Sequence, residues 1–341
     1  MGGGRKFGWG ACAALSLSVL STLACGQGSP SNWSDIVAAA EREGTVVFYS
    51  SLVPATLEPL IKAFETKYPK IRVQNVRNVE AVLIPKIQQE QEVNAPGADL
   101  VSVNILDFYD EQAAKKLLVQ PVGPNVAKYP ADALHKGIAP IISGFPMGFA
   151  YNSDLVKEPP KTYADFLRPE FKNSIGTILA GASPAVTFWY DWLRKTNPGY
   201  WEALAKQEPK LYPSTIPMTQ AIAAGEIKAT IFANPGGVKI LADQGAPVKF
   251  VLPEIPEVYG SIYPVAILKN AKNPNAAQVF ADFLMSEQGQ MFLNGNGMGI
   301  SRIPGVPGSL AGVKVFSFYA HGYSPERIKE IAGEWDRLFK R

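Results

Sequence analysis

The 341-residue chain is 47% hydrophobic and 18% charged, with a net charge of +3 and 28 Pro. This composition excludes a disordered chain, a collagen and a disulfide scaffold, and the length points to two domains. The small net charge leaves no footprint for nucleic acid. Two Cys and two His all but exclude a Cys/His metal cluster or a disulfide framework.

The chain begins with the layout of a secretory signal. Arg5 and Lys6 precede an uncharged apolar run, Ala11 to Leu23, which is too short to span a membrane. The run closes on Thr22-Leu23-Ala24-Cys25, so residues 1–24 are expected to be removed. Cys25 would then be the lone Cys of the exported chain, ahead of a flexible Gly/Ser/Pro stretch ending at residue 32. That resembles a bacterial lipoprotein with an acylated Cys25, although Leu23 stands two positions before the Cys instead of three. No later segment reaches the ~18 apolar residues of a membrane span.

Beyond this leader, Trp33 to Glu43 reads as an amphipathic helix with Ser34 as N-cap, stopped by Gly44. Thr45 to Tyr49, Ile71 to Val76 and Ala98 to Val103 read as strands. They alternate with helices at Pro54 to Tyr68, Glu80 to Glu92 and Ile105 to Leu118. Such alternation predicts βαβ units and a parallel sheet. Ile138 to Asn152 is apolar but broken by Gly144, Pro146 and Gly148, which suits extended chain crossing to another lobe.

The pattern then restarts. Strands are expected at Ile175 to Leu179, Ala229 to Ala233 and Val248 to Leu252. Helices are expected from Ser183-Pro184 to Thr196, from Met218 to Gly225 and from Val238 to Gln244. Pro253, Pro256, Gly260 and Pro264 mark a second crossing. A strand at Val265 to Leu268 and a helix at Pro274 to Ser286 come next. Gly295 to Pro307 is loop-rich. Ser324-Pro325-Glu326 supplies an N-cap, a first-turn Pro and an acid for a last helix to Phe339. The last helices are expected to return to the first lobe.

No GxSxG, HExxH or Walker loop is present, and Asn294 to Gly299 is a turn cluster that opens no helix after a strand. His135 and His321 lack nucleophile partners and metal-ligand spacing, so no catalytic or metal residue and no cofactor is expected. The chemistry falls instead on strand-to-helix junctions. In parallel α/β sheets, ligands sit where strand ends meet helix N-termini. The first-lobe candidates are Tyr49, Ser50, Ser51, Asn78, Glu80 and Asn104. The second-lobe candidates are Ser183, Ser214, Thr215 and Asn234. Tyr151, Tyr259, Ser261 and Tyr263 join them from the crossings. Phe188, Trp189 and Trp192 fall at helical spacing and read as core.

The chain resembles the extracellular solute-binding proteins of ATP-driven (ABC) importers, in the iron(III)/thiamine/phosphonate-type branch. The resemblance runs through GTVVFYSSLVPATLEPLIKAFE, PGADLVSV, AGEIKATIFAN and AILKNAKNPNAAQVFADFLMSEQGQ. It implies a two-lobed α/β periplasmic-binding fold of type II, each lobe a mainly parallel sheet flanked by helices, joined by two hinge crossings. It places lobe 1 at residues 33–147 and 257–303, lobe 2 at 148–256, and a C-terminal extension at 304–341. It implies a monomeric, non-enzymatic protein at the periplasm or cell surface. Such a protein hands a small solute to a membrane permease and its ATPase. Ferric binders of this branch use an adjacent tyrosine pair where this chain has Asn234-Pro235, a His where it has Val53 and an acid where it has Asn104. Hard Fe(III) wants anionic oxygen ligands, so the reading favours a small organic or phosphorylated anion. Ferric iron on other ligands is the alternative. An exported enzyme on the same fold is the alternative of another class.

Overall fold

The computed structural model describes residues 1–2, 32–310, 313–318 and 323–340. Cys25, the signal segment and His321 lie outside the described residues. Trp33–Arg341 forms one compact unit.

The first lobe opens with α1 (Trp33–Glu43), β1 (Thr45–Ser50), α2 (Pro54–Lys67), β2 (Arg72–Arg77), α3 (Glu80–Glu92), β3 (Leu100–Ser102), α4 (Leu106–Ala114) and β4 (Leu118–Val119). Ser34 lies inside α1 rather than capping it. The strands of this lobe are sandwiched between helices, so β1 buries both faces. Val46 and Phe48 enter one core with α2, and Tyr49 enters another with α3. The sheet order is β2-β1-β3-β13-β4, where β13 is Ala266–Leu268. β1 runs parallel to β2 and β3, while β13 runs antiparallel to both β3 and β4.

The crossing consists of β5 (Leu134–His135), β6 (Ala139–Pro146) and β12 (Glu257–Pro264), with β14 (Lys314–Phe316) on its outer edge. β6 and β12 are antiparallel, with Gly260 opposite Pro146 and Tyr263 opposite Ser143. A Cβ on Gly260 would lie 2.4 Å from the Phe145 carbonyl oxygen, so only glycine lets these strands approach.

β6 leads directly into β7 (Gly148–Asn152) of the second lobe. That lobe also holds β8 (Ile175–Ile178), α5 (Pro184–Thr196), α6 (Tyr200–Ala205) and β9 (Lys210–Tyr212). It continues through α7 (Thr215–Ala223), β10 (Ala229–Ala233), α8 (Pro235–Asp243) and β11 (Val248–Val251). Its sheet order is β11-β7-β10-β8-β9, with β7 antiparallel to β10 and β11, and β8 parallel to β9 and β10. Each lobe is thus a mainly parallel sheet with one antiparallel strand, and that strand is the one arriving from the crossing.

The final helices divide between the lobes. α9 (Pro274–Leu284) and α10 (Glu287–Asn294) pack on the first lobe. Phe280 of α9 meets Phe48 and Phe64 edge-on at 5.3 and 4.7 Å. α11 (Pro325–Phe339) docks on the second lobe, which corrects the expected return to the first. Trp335 is fully buried, 5.2 Å from the Tyr190 ring of α5. Shape and apolar area decide the docking: the stripe of Ile331 and Trp335 fits the aromatic α5 surface. Asp191 secures the approach to α11. Its buried carboxylate accepts from Arg194 (2.7 Å), Lys195 (2.6 Å) and the Tyr323 hydroxyl (2.6 Å).

Candidate functional site

The strand β12 acts as a ruler between the lobes. At one end the Tyr259 ring stacks on Phe232, at the carboxyl end of β10, with centroids 6.1 Å apart. Farther along, Ser261 Oγ accepts from Asn104 Nδ2 (3.4 Å), just after β3. Tyr263 lies beyond, beside Ser51, Arg77 and Glu80. At ~3.3 Å per residue, roughly 7–13 Å of strand separates the carboxyl edges of the two sheets. The strand-to-helix junctions of both lobes therefore open on a common cleft. The loop after α10 reaches across it, since a Cβ on Gly236 at the start of α8 would lie 3.0 Å from Met298 Sδ.

On the first lobe, Ser51, Asn78, Glu80, Asn104, Ser261 and Tyr263 gather around the carboxyl ends of β1, β2 and β3. Burial pushes the Tyr263 phenol up to about 12, so it remains an O–H donor; Glu80 adds to the shift, while Arg77 and Ser51 oppose it. Asn78 Oδ1 accepts from the Val79 amide at the start of α3 (2.9 Å). Ser50 is fully buried and its Oγ accepts from the Leu52 amide (3.1 Å), so it shapes the turn and leaves Ser51 to face the cleft.

On the second lobe, three helices begin at the cleft. Ser183 Oγ accepts from the Val186 amide (3.2 Å), capping α5. Asn234 Oδ1 accepts from the Gly236 and Gly237 amides (2.8 and 3.3 Å), capping α8. Ser214 stands at the N-cap of α7, followed by Thr215, but its hydroxyl makes no cap bond. The first two side chains are spent on their own helices, whereas Ser214 is open to a ligand.

Three tyrosines read from the sequence as ligand groups are placed elsewhere. Tyr49 points into the core beneath α3, where its hydroxyl donates to Glu90 Oε1 (2.9 Å) and Lys86 Nζ lies 5.4 Å from its ring. Tyr151 is paired with Ala229, the first residue of β10. It therefore lies at the edge of the sheet remote from the strand ends, because β7 runs antiparallel. Tyr259 is buried among Phe232, Phe188 and Phe316, and burial drives its phenol far above the usual tyrosine range. It is packed within this aromatic cluster.

Met298 lies against Gly236 at the start of α8, and Thr56 stands in the first turn of α2, although neither stands out in the sequence. Thr56 could have been found as the third residue of a helix starting at Pro54 behind an apolar N-cap. Met298 depended on a loop path with no local signal. Among the described residues, no group of three His, Cys, Asp or Glu is placed to hold a metal ion, and no helix is long and apolar enough to cross a membrane. A separate crevice of about 520 Å³, walled by Gly144, Ile262, Ser301, Arg302 and Lys314, shares none of these site residues.

Residues 45–299 match the model of the bacterial extracellular solute-binding protein family, and the chain belongs to that family. Among solved structures, it is similar to the substrate-binding protein of an ABC transporter from Agrobacterium tumefaciens (17% identity, TM-score 0.64, covering 86% of this chain and 94% of that one). It is also similar to the apo ferric ion-binding protein A of Pasteurella haemolytica (18%, TM-score 0.63, 87% and 96%). A third is the periplasmic binding protein AfuA of Actinobacillus pleuropneumoniae with exogenous fructose-6-phosphate bound (23%, TM-score 0.58, 87% and 99%). These likenesses establish the two-lobed fold of the type II periplasmic binding proteins.

Proposed function

We propose that this protein is the solute-capturing component of an ABC importer. It would take a small organic or phosphorylated anion into the cleft, deliver it to a membrane permease and perform no chemistry on it. The observation that carries the reading is the convergence of the α5, α7 and α8 starts on one cleft with the donors of the first lobe. A helix N-terminus contributes roughly half a unit of positive charge, enough for neutral donors to hold an anion. The lobes, at 33–147 with 257–303 and at 148–256, would close by hinge motion at the β6–β7 and β12 crossings. The C-terminal extension, 304–341, would travel with the second lobe. Cys25 would carry a lipid anchor at the periplasmic or outer cell surface, and the protein would act as a monomer beside the permease and its ATPase.

Donor chemistry favours an organic anion over ferric iron. Glu80 and Tyr263 are the acidic oxygen groups of this set, and burial holds the Tyr263 proton on. The remaining groups are neutral hydroxyls and amides.

The test is a thermal-shift screen of the purified chain against phosphate esters, phosphonates, carboxylates, polyamines, thiamine and ferric citrate. Binding to the folded state raises the melting temperature by mass action. A rise with organic anions, together with compaction in small-angle scattering, supports the reading. A rise confined to ferric citrate, with a tyrosinate charge-transfer band, would replace it with iron binding. Substitution of Ser214 by Ala is expected to weaken anion binding by about 1–3 kcal/mol. Turnover of a bound solute would point to an enzyme instead.

A further inference from the structure

We propose that a second small-molecule site lies outside the cleft, in the crevice between the end of α5 and the C-terminal extension, and that it takes a zwitterionic amino acid with an aromatic side chain. The inference does not depend on what the cleft holds.

The crevice has a volume of about 620 Å³. Its walls come from three parts of the chain: Tyr163 and the end of α5 in the second lobe, Ile255 and Pro256 just ahead of β12, and Lys314 of β14. The residues gathered at the cleft are not among them. Trp192 supplies an apolar wall. Its ring is braced by Phe316, with centroids 4.7 Å apart, and by Tyr163 at 6.2 Å. Yet Trp192 and Ile255 are only partly buried. An indole held by its neighbours, with part of its surface open, can take an aromatic ring against it in an offset or edge-on arrangement.

Two opposite charges stand at the same crevice. Glu257, first in β12, and Lys314, first in β14, are register partners on parallel strands. Neighbouring strands run about 4.8 Å apart, so the two side chains leave the sheet side by side. Both are exposed, and among the described residues no ion pair joins them to each other or to a neighbour. An α-amino acid carries its ammonium and carboxylate on one carbon and can meet both at once. A lone cation would face Lys314, and a lone anion would face Glu257.

The end of α5 adds acceptors for the ammonium. Asn197 Nδ2 donates to the Leu193 carbonyl (3.2 Å) and to Thr196 Oγ1 (3.0 Å), which leaves Oδ1 to accept. The carboxyl end of a helix favours a cation. The cations of that last turn, Arg194 and Lys195, are already taken up by Asp191 and Glu334. Glu257 and Lys314 also border the crevice beside Arg302, but Arg302 there is paired with Asp132 (3.6 Å), and no aromatic ring lines that crevice among the described residues.

The test is isothermal titration of the purified chain with L-phenylalanine and three relatives that each lack one part. 3-Phenylpropanoate has no ammonium, 2-phenylethylamine no carboxylate and L-alanine no ring. L-Phenylalanine is expected to bind at least tenfold more tightly than any of the three. Glu257→Gln is expected to erase its advantage over 3-phenylpropanoate, and Lys314→Gln its advantage over 2-phenylethylamine. Both residues are exposed, so the ligand-free melting temperature of either variant should stay within about 1 °C of the wild type. No binding of L-phenylalanine by the wild type, or a relative that binds as tightly, overturns the site. Binding that both variants leave unchanged would put the amino acid elsewhere, the cleft included, and also overturns it.

Discussion

Replacing Trp335 by Ala tests the docking of the C-terminal helix. Within α11 only Ile331 and Trp335 are buried, with Leu338 and Phe339 partly buried beside them, so the indole is the largest side chain the helix buries in the second lobe. It is fully buried against Tyr190 and stacks on Phe339 with centroids 4.3 Å apart. Truncating a buried Trp to Ala costs about 3–5 kcal/mol, through lost transfer energy and the cavity left behind. Unfolding entropy is roughly 2.1 cal/mol/K per residue, or about 0.65 kcal/mol/K for a unit of this size. A loss of about 4 kcal/mol then lowers Tm by about 6 °C. Calorimetry of the ligand-free protein measures this. Limited proteolysis should show cleavage ahead of α11 in the variant first. The damage should also reach the site, because α11 abuts the turn before Ser183: a Cβ on Gly181 would lie 4.0 Å from the Ala332 Cβ. A Tm drop below about 1 °C with an unchanged cleavage pattern would refute this account of α11.

Three further outcomes are expected. Burial pushes the Asp191 carboxyl up, but bonds from Lys195, Tyr323 and Arg194 outweigh it and hold the group below the usual carboxylate range. Its contribution to stability is therefore full above the unfolded value near ~4 and lost as pH falls through the folded value. Melting curves from pH 6 to 2 should show an acid-induced loss that Asp191→Asn lacks, and equal slopes would contradict it. Gly260→Ala forces a Cβ against the Phe145 carbonyl oxygen at 2.4 Å and should cost about 2–3 kcal/mol in urea denaturation. Ser183→Ala, deleting a cap, should cost about 1 kcal/mol of stability, whereas Ser214→Ala should leave stability within about 0.5 kcal/mol and act on affinity alone. Comparable stability losses for the two would mean that Ser214 also caps its helix.

Local elements were the legible part. α3 and β10 occupy the residues that periodicity assigns them, and the Ser324 cap of α11 forms as its residue types imply, with the Arg327 amide bound to Ser324 Oγ (3.2 Å). The site was legible as a set of junctions but not as a set of side chains. Ser183 and Ser214 look alike in sequence, each a Ser opening a helix, yet only one is consumed by capping. Hydroxyl orientation at a helix start depends on what the neighbouring loop leaves free, which no local pattern encodes.

Residue spacing and turn chemistry by themselves determined the alternating elements, the two crossings and the absence of a catalytic motif, because helix and strand periods and capping act within a few residues. Tertiary structure alone decided which tyrosines reach the cleft. Tyr49, Tyr151 and Tyr263 all lie in strands near polar turns, but a strand's direction and face are set by its partner. The antiparallel course of β7 carries Tyr151 to the far edge, the pleat of β1 turns Tyr49 under α3, and β12 brings Tyr263 to the start of α2. The same holds for α11, whose amphipathic stripe requires a partner surface but does not name one. Its place on the second lobe follows from the aromatic face of α5, a segment far earlier in the chain.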